Sequence, residues 1–436
     1  MSQLDTRLLV DKTRPSILPK KVIHILVRTR TNPKIVRWSF LLFVFTVPFE
    51  FMDLEAIRGI SSLARIAGLL FLGTCLFYPQ VCFRRPPRDL WWFAGYVAVY
   101  VLNGLSTPAL FVDPFLARLQ TLVQLLILGW IGSILLQEEK FTRHTLLTFS
   151  IATMFAAIGM LLGLPGFAEN WQGRLSIAGQ NPNGLAGLMA LSAQALIGLG
   201  IGRNLRNRWI RVILLPMSLL PITAMVYSGS RGGMLAFLTG IVVYALPYSG
   251  SKRKMTAILG VAIAVVGVIY TVMSDQTTLS RLESSYYRED TAGRDKLFRA
   301  STEMIAEKPI FGWGPMVSNS ELGLRVRKKN VDAHNLFFHL LLEEGFVGTI
   351  PFLIGLGLCV RTAWTARVGS LGLLPLVWLI TMLVLNLSGT WLTSKILWLV
   401  LALTLASGAV TVNQPKRKNL MLRTILQHSQ KVRELE

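Results

Sequence analysis

The stretch NLFFHLLLEEGFVGTIPFLIGLGLC, Asn335–Cys359, decides the fold. Its only formal charges are Glu343 and Glu344, and nearly everything else is apolar or small. About 20 such residues, at about 1.5 Å of rise each, cross the ~30 Å hydrocarbon core of a bilayer. Outward from it in both directions, apolar runs of similar length recur from Val36 to Val410. Windows of about 19 residues predict twelve spans. They lie near 36–52, 60–82, 90–106, 115–136, 145–164, 182–201, 212–228, 233–248, 256–273, 335–359, 371–388 and 391–411. Across all 436 residues, 52% are hydrophobic, 16% are charged and the mean hydropathy is +0.50. A soluble domain carries about a quarter charged residues. The composition therefore excludes a soluble enzyme, a disordered chain and a collagenous one, and predicts an all-α polytopic membrane protein. The first apolar run follows a largely polar stretch of 35 residues, which argues against a cleavable signal peptide.

The net charge of +22 could suggest a nucleic-acid partner, but the basic residues cluster in short segments between apolar runs. There they set orientation by the positive-inside rule. With the N-terminus inside, the cytoplasmic segments hold 28 Lys and Arg, while the short outer loops hold only Arg58, Arg174 and Arg231. The basic tails, Lys12 to Lys34 and Lys416 to Arg433, fit anionic lipid head groups or serve as topology signals alone. Cys75, Cys82 and Cys359 all sit in or beside apolar segments and make neither a metal spacing nor a disulfide framework.

The predicted organisation is a basic cytoplasmic tail (1–35), nine spans (36–273), a large outer loop (274–333), three spans (334–411) and a second basic tail (412–436). The loop holds 10 basic and 9 acidic residues, too long for a simple connector. It has a helix-compatible stretch around 291–307, which Lys308-Pro-Ile-Phe-Gly-Trp-Gly-Pro315 must end.

Candidate chemistry starts with arginines on the outer face, where positive charge brings no topological benefit. Arg231 lies in Tyr227-Ser-Gly-Ser-Arg-Gly-Gly233, where glycines admit a ligand to the backbone and the next helix offers its N-terminal amides. Such a group suits phosphate, although an arginine capping a tight turn would look the same. Arg174, in Trp171-Gln-Gly-Arg-Leu175, precedes Gly179-Gln-Asn-Pro-Asn-Gly184. There Asn181 and Asn183 can meet sugar hydroxyls or cap the helix that Pro182 begins. Arg288 and Arg294 flank Glu289, Asp290 and Gly293, and Arg294 opens the loop helix.

Of five histidines, His334 and His339 fall on the outer side. His334, with Asp332 and Asn335 beside it, stands where the loop re-enters the membrane and is placed to take a proton near pH 7. His339 lies roughly 140° around the helix from it, so the two do not pair on a metal. Glu343 shares the face of His339, as a structural anchor or a catalytic group. No outer Asp-x-Asp, His-x-x-x-His or cysteine cluster offers a divalent-metal site, and no P-loop appears. Glu50, Asp53 and Glu55 in the first outer loop could bind a cation or simply be interfacial.

Three motifs in order, Ser228-Gly-Ser-Arg-Gly-Gly233, Gly293-Arg294 followed by Lys308-Pro-Ile-Phe-Gly-Trp-Gly314, and Ala333-His-Asn335 with Glu343-x-Gly345 and Gly348, resemble the O-antigen ligase and polymerase superfamily of bacterial envelope glycan enzymes. The resemblance covers roughly 170–350 and extends to the twelve-span layout. It implies a GT-C glycosyltransferase of the inner membrane whose long loop and site face the periplasm. The implied donor is a glycan on undecaprenyl diphosphate and the implied acceptor is lipid A–core, with no cofactor and no metal. Arg231, Arg294, Arg174 and Arg288 would hold the diphosphate, His334 would be the base, and Asn335, Asn181 and Asn183 would touch substrate. Chemically, a lipid diphosphate leaves readily once cations stabilise its charge.

A polymerase and a protein O-oligosaccharyltransferase share these motifs. No outer arginine has the glycine eleven residues on that polymerase loops often show, which favours ligase. A lipid-linked-glycan transporter would explain spans and arginines without catalysis, but the matched broken helices such proteins show are not evident.

Overall fold

The computed structural model describes residues 33–50, 63–165, 167–171, 174–177, 179–201, 208–244 and 294–412, with isolated positions between 262 and 279. The chain is mostly helical, as the apolar periodicity requires. In order, the helices are α1 (Lys34–Thr46), α2 (Leu63–Leu76), α3 (Pro79–Cys82), α4 (Leu90–Gly104), α5 (Val112–Leu135) and α6 (Glu139–Leu161). After a small hairpin come α7 (Pro182–Ile201), α8 (Arg208–Met217), α9 (Leu219–Tyr227), α10 (Arg231–Tyr244), α11 (Arg294–Glu307), α12 (Val317–Arg325), α13 (Leu336–Ala366), α14 (Leu374–Leu385) and α15 (Lys395–Val412).

By length and composition, α5 (with the turn before it), α6, α7 and α13 are each able to cross a membrane. Several other apolar helices are shorter than the spans read from hydropathy, and α14 with 12 residues rises only about 18 Å. Proline explains part of this. Pro48 turns the end of α1 into a 3₁₀ turn, Pro79 restarts the chain after α2, and Pro216 lies where α8 gives way to α9 at Ser218. Hydropathy reports apolar length, whether or not one helix spans it.

The hairpin is the departure from an all-helical chain. Strands Glu169–Trp171 and Arg174–Ser176 pair antiparallel, with Trp171 opposite Arg174. It leads directly into α7, whose buried residues run nearly all round the helix, from Leu185 and Ala186 to Leu199.

Packing falls into two groups. Helices α7, α9, α10 and α14 pack on one another, whereas α4, α5, α13 and α15 form a second set, with α1 on α2 and α6. Aromatic rings fill the second set: Phe93 meets Phe352 edge-on at 5.2 Å and lies 6.0 Å from Trp398. The segment ahead of α13 has its own small core of Leu297, Met304, Leu322 and Val331, closed against Leu342 of α13.

Helix α13 is interrupted at Gly345, where φ is 56° and ψ is −159°. A break at this point strips backbone groups of their helical partners, which hydrocarbon cannot replace. The segment Pro309–Gly314 replaces them. Trp313 and Gly314 donate N–H bonds to the carbonyls of Leu342 (2.7 Å) and Glu343 (3.0 Å). Phe346 and Val347 donate to the carbonyls of Pro309 (2.8 Å) and Ile310 (3.1 Å). Trp313 is held in turn by its indole bond to Met304 O, at 2.9 Å, with Lys308 Nζ 4.0 Å over its ring. Two of the sequence motifs are thus one structural unit.

Candidate functional site

A cavity of about 860 Å³ opens at one end of the bundle. Its lining comes from Glu50 beyond α1, the N-terminal parts of α2, α5, α7 and α10, the approach to α13, and the turn between α14 and α15. Following the chain up and down through the helices, these are ends of one side. It is the side that the distribution of Lys and Arg reads as outer.

The turn before α10 is held by side-chain hydrogen bonds. Ser230 Oγ accepts from Gly233 N–H at 3.1 Å and lies 2.9 Å from Asn183 Oδ1, the N-cap bond expected of serine at a helix start. Arg174 ties the hairpin to this turn, its Nε donating to Ser228 O (2.8 Å) and its Nη2 to Asn183 Oδ1 (2.9 Å). Asn181 accepts from Asn183 N–H at 2.9 Å as the cap of α7. Arg174, Asn181 and Asn183 therefore form one brace under the turn that carries Arg231.

Arg231 and Arg294 come together from segments 63 residues apart. Arg294 opens α11 and points Nη2 at Ser388 O, 3.4 Å away. Burial lowers the proton affinity of its guanidinium, and the positive charge of Arg231 lowers it further. Gly232 is pressed against Ser388 as well, so that a Cβ there would lie 2.6 Å from Ser388 Oγ. Neither arginine lines the cavity itself; both adjoin it through its lining residues, Arg231 between Ser230 and Gly233 and Arg294 through Ser388. Arg288, like Asp53, Glu55 and Arg58, lies outside the described residues.

His334 lines the same cavity with its side chain 51% exposed. Its backbone is held at φ 50°, in the left-handed region, by an N–H bond to Asp332 Oδ2 (3.2 Å). Immediately after it, Asn335 caps α13 through Oδ1, which accepts from Phe337 N–H (2.9 Å) and Phe338 N–H (3.2 Å). The amide Nδ2 of Asn335 donates to Leu387 O at 3.3 Å, so this residue ties α13 to the α14–α15 turn.

Asp332 is the hub. Oδ2 accepts from Thr390 Oγ1 at 2.7 Å and stands 3.8 Å from His334 Nδ1, while Oδ1 is 3.3 Å from His339 Nδ1. Burial raises its pKa, yet contact with His339, the Thr390 hydroxyl and the charge of His334 together bring it well below the usual carboxylate range. Behind it the chain of charge continues inward. His339 Nε2 lies 3.2 Å from Glu343 Oε2, and Arg118 Nη1 reaches Glu343 Oε1 at 2.5 Å. Glu344 points the other way and accepts from Asn103 Nδ2 at 2.7 Å.

Arg118 and Arg65 escaped the sequence reading because both sit inside apolar runs and were counted with the spans. A charge within a membrane helix is itself a signal of a cavity or a partner, and both line this cavity. Lys395 was missed in the same way; it pairs with Glu50 across the cavity wall.

Residues 216–353 match the family model for O-antigen ligase. That stretch, about a third of the chain, is similar to the O-antigen ligase family. No curated protein matches it. The matched stretch runs from α8 through the break in α13 and includes Arg231, Arg294, Asp332, His334 and Glu343. O-antigen ligase family members are membrane enzymes of the glycan ligase and polymerase kind, with lipid-linked glycans and lipid acceptors as their substrates in general. The residues outside the match that complete the cavity come from α1, α2, α5, α7 and the α14–α15 turn.

Proposed function

We propose that the protein is an O-antigen ligase that transfers a glycan from undecaprenyl diphosphate to lipid A–core at the periplasmic face of the bacterial inner membrane. Its architecture on this reading is of the GT-C type, about twelve transmembrane helices with one long periplasmic loop. The acceptor hydroxyl attacks the anomeric carbon and the bond from that carbon to the diphosphate oxygen breaks, with inversion. The hydroxyl proton passes to His334. Arg231 and Arg294 stabilise the charge that develops on the diphosphate, which requires no metal. Arg288 adds a further cation to the same group. Arg174, Asn181 and Asn183 hold the turn that presents Arg231, and Asn335 holds His334 beside the substrate.

The observation that supports this reading is a single one. An exposed imidazole and Ser388, whose carbonyl faces Arg294 Nη2, line one cavity, and the charge of Arg231 bears on Arg294. A base and a pair of guanidiniums are the two elements that transfer from a lipid diphosphate needs. The test is to incubate purified protein with undecaprenyl-diphosphate glycan and, separately, lipid A–core, a polymer acceptor or a peptide. Glycosylated lipid A–core is the expected product. Elongation of the polymer or labelling of the peptide would replace the ligase assignment, and movement of the lipid-linked glycan across a vesicle without transfer would replace catalysis with transport.

A further inference from the structure

The cavity has two unlike walls. One is made where α7, α10 and α14 pack together, and it carries Asn183, Ser230 and Ser388, the last facing Arg294. The other is contributed by α5, which belongs to the other packing group, and by α2, which packs on α1; it carries Gln120, Thr121 and Gln124 together with Arg65 and Arg118, the latter engaged by Glu343. Between the two groups lie Asp332 and His334, joined to the α14–α15 turn through Thr390.

The polar stripe on α5 needs an explanation. This helix is apolar enough to cross a membrane, yet Gln120 and Gln124 stand one turn apart on the same face with Thr121 beside them. Neither glutamine amide bonds to another described residue. Thr121 Oγ1 donates to Ala117 O at 2.9 Å, which leaves its lone pairs open as acceptors. Polar side chains at such a position are expensive in lipid and mark a substrate path where they face a cavity. Beyond Gln124 the lining contributed by α5 becomes Leu125 and Leu128, so its polar residues lie toward the N-terminal end of the helix. Amides that offer both a donor and an acceptor match vicinal sugar hydroxyls.

We propose that Gln120, Thr121 and Gln124 form the subsite for the acceptor saccharide. The inference rests on the transferase reading above, because displacement with inversion fixes the arrangement. The attacking hydroxyl enters opposite the leaving diphosphate, and the base stands beside it. With Arg231 and Arg294 toward one wall, Arg118 of the other engaged by Glu343, and His334 between, the acceptor sugar occupies the wall of α5. The ligand class is a polyhydroxylated saccharide on a lipid. The donor's own diphosphate is held elsewhere.

The experiment uses the full chain with Gln120→Leu, Gln124→Leu and the pair. Transfer is measured with lipid A–core varied at saturating undecaprenyl-diphosphate glycan, then the reverse, with donor binding determined separately. Each single change should raise KM for lipid A–core about three- to tenfold, the worth of one neutral hydrogen bond. Donor KM and donor Kd should stay within about twofold, and kcat likewise. A rise in donor KM or a loss of donor binding would assign the stripe to the donor or to folding and overturn the subsite. So would an unmoved acceptor KM in the double variant. Failure of the unsubstituted protein to glycosylate lipid A–core would instead overturn the ligase reading on which the subsite rests.

Discussion

Gly312 and Gly345 exclude side chains from each other's positions. A Cβ on Gly312 would lie 2.7 Å from Gly345 N, and a Cβ on Gly345 would lie 2.6 Å from Gly312 N and 2.3 Å from Ile310 O. Both have positive φ, 72° and 56°. The segment ahead of α13 and α13 itself meet backbone to backbone, which only glycine allows.

Gly345→Ala should therefore combine left-handed strain of about 1–2 kcal/mol with a clash against backbone that cannot move aside. Thermal unfolding in detergent should show a clear loss of stability. Gly314→Ala, at φ 87° but with open space around the Cβ, should be the milder change. Equal losses at the two positions would mean that close packing at Gly345 contributes little.

His334→Ala should lower turnover about 10² to 10⁴-fold, as removal of a general base does, with donor binding nearly intact. Arg231→Ala and Arg294→Ala should weaken donor binding and turnover together, at about 1.5–3 kcal/mol for each charge-assisted bond. Lysine should restore them only in part because it lacks the planar fork. Arg174→Ala should act through the turn it braces. Donor affinity and single-turnover rate in the same preparations separate these cases, and normal turnover in His334→Ala would move the base to Asp332 or Glu343.

Arg118→Ala should destabilise the protein by about 3–5 kcal/mol, because it leaves the carboxylate of Glu343 buried beside His339 without its cation. Arg118→Ala combined with Glu343→Gln should recover much of the loss. The double-mutant cycle is read from melting curves, and simple additivity would show that the pair is not coupled.

Asp332→Asn should destabilise the folded protein in a pH-dependent way. A carboxyl whose folded pKa is depressed contributes stability above its unfolded pKa, near 3.8, and loses it as pH falls toward the folded value. The gap in melting temperature between Asp332→Asn and the unsubstituted protein should thus be full at pH 6 and shrink on acidification below about pH 4. A gap that stays constant to pH 3 would show that charge on Asp332 is not what matters.

Reporter fusions near residues 174 and 310 should report outside, and fusions after 88, 206 and 253 inside. An inside report at 310 would detach the loop, and with it Arg294, from the cavity's side of the membrane.

The membrane character of the chain was legible from apolar length and loop charge alone, because both are local properties of the sequence. The start of α11 near 294, the Asn181 cap ahead of Pro182 and the shared face of His339 and Glu343 could be read for the same reason. What could not be read was contact between distant segments. Nothing local ties Asp332 to Thr390, or Arg118 to Glu343 across 225 residues. The hairpin at 169–176 was hidden because three-residue strands carry almost no periodic signal. Helix lengths were overestimated where proline interrupted an apolar run, as between α8 and α9.

The docking of Pro309–Gly314 onto the break in α13 bears on how this protein is made. The loop leaves the ribosome before the helix it completes, and on the proposed topology it is on the far side of the bilayer when that helix inserts. Until the two meet, the carbonyls of Leu342 and Glu343 and the amides of Phe346 and Val347 lack the partners they have in the finished fold. Lipid supplies none. On that topology, release of this span into the membrane is coupled to folding of the loop, and a lesion in the loop is expected to impair membrane integration of α13.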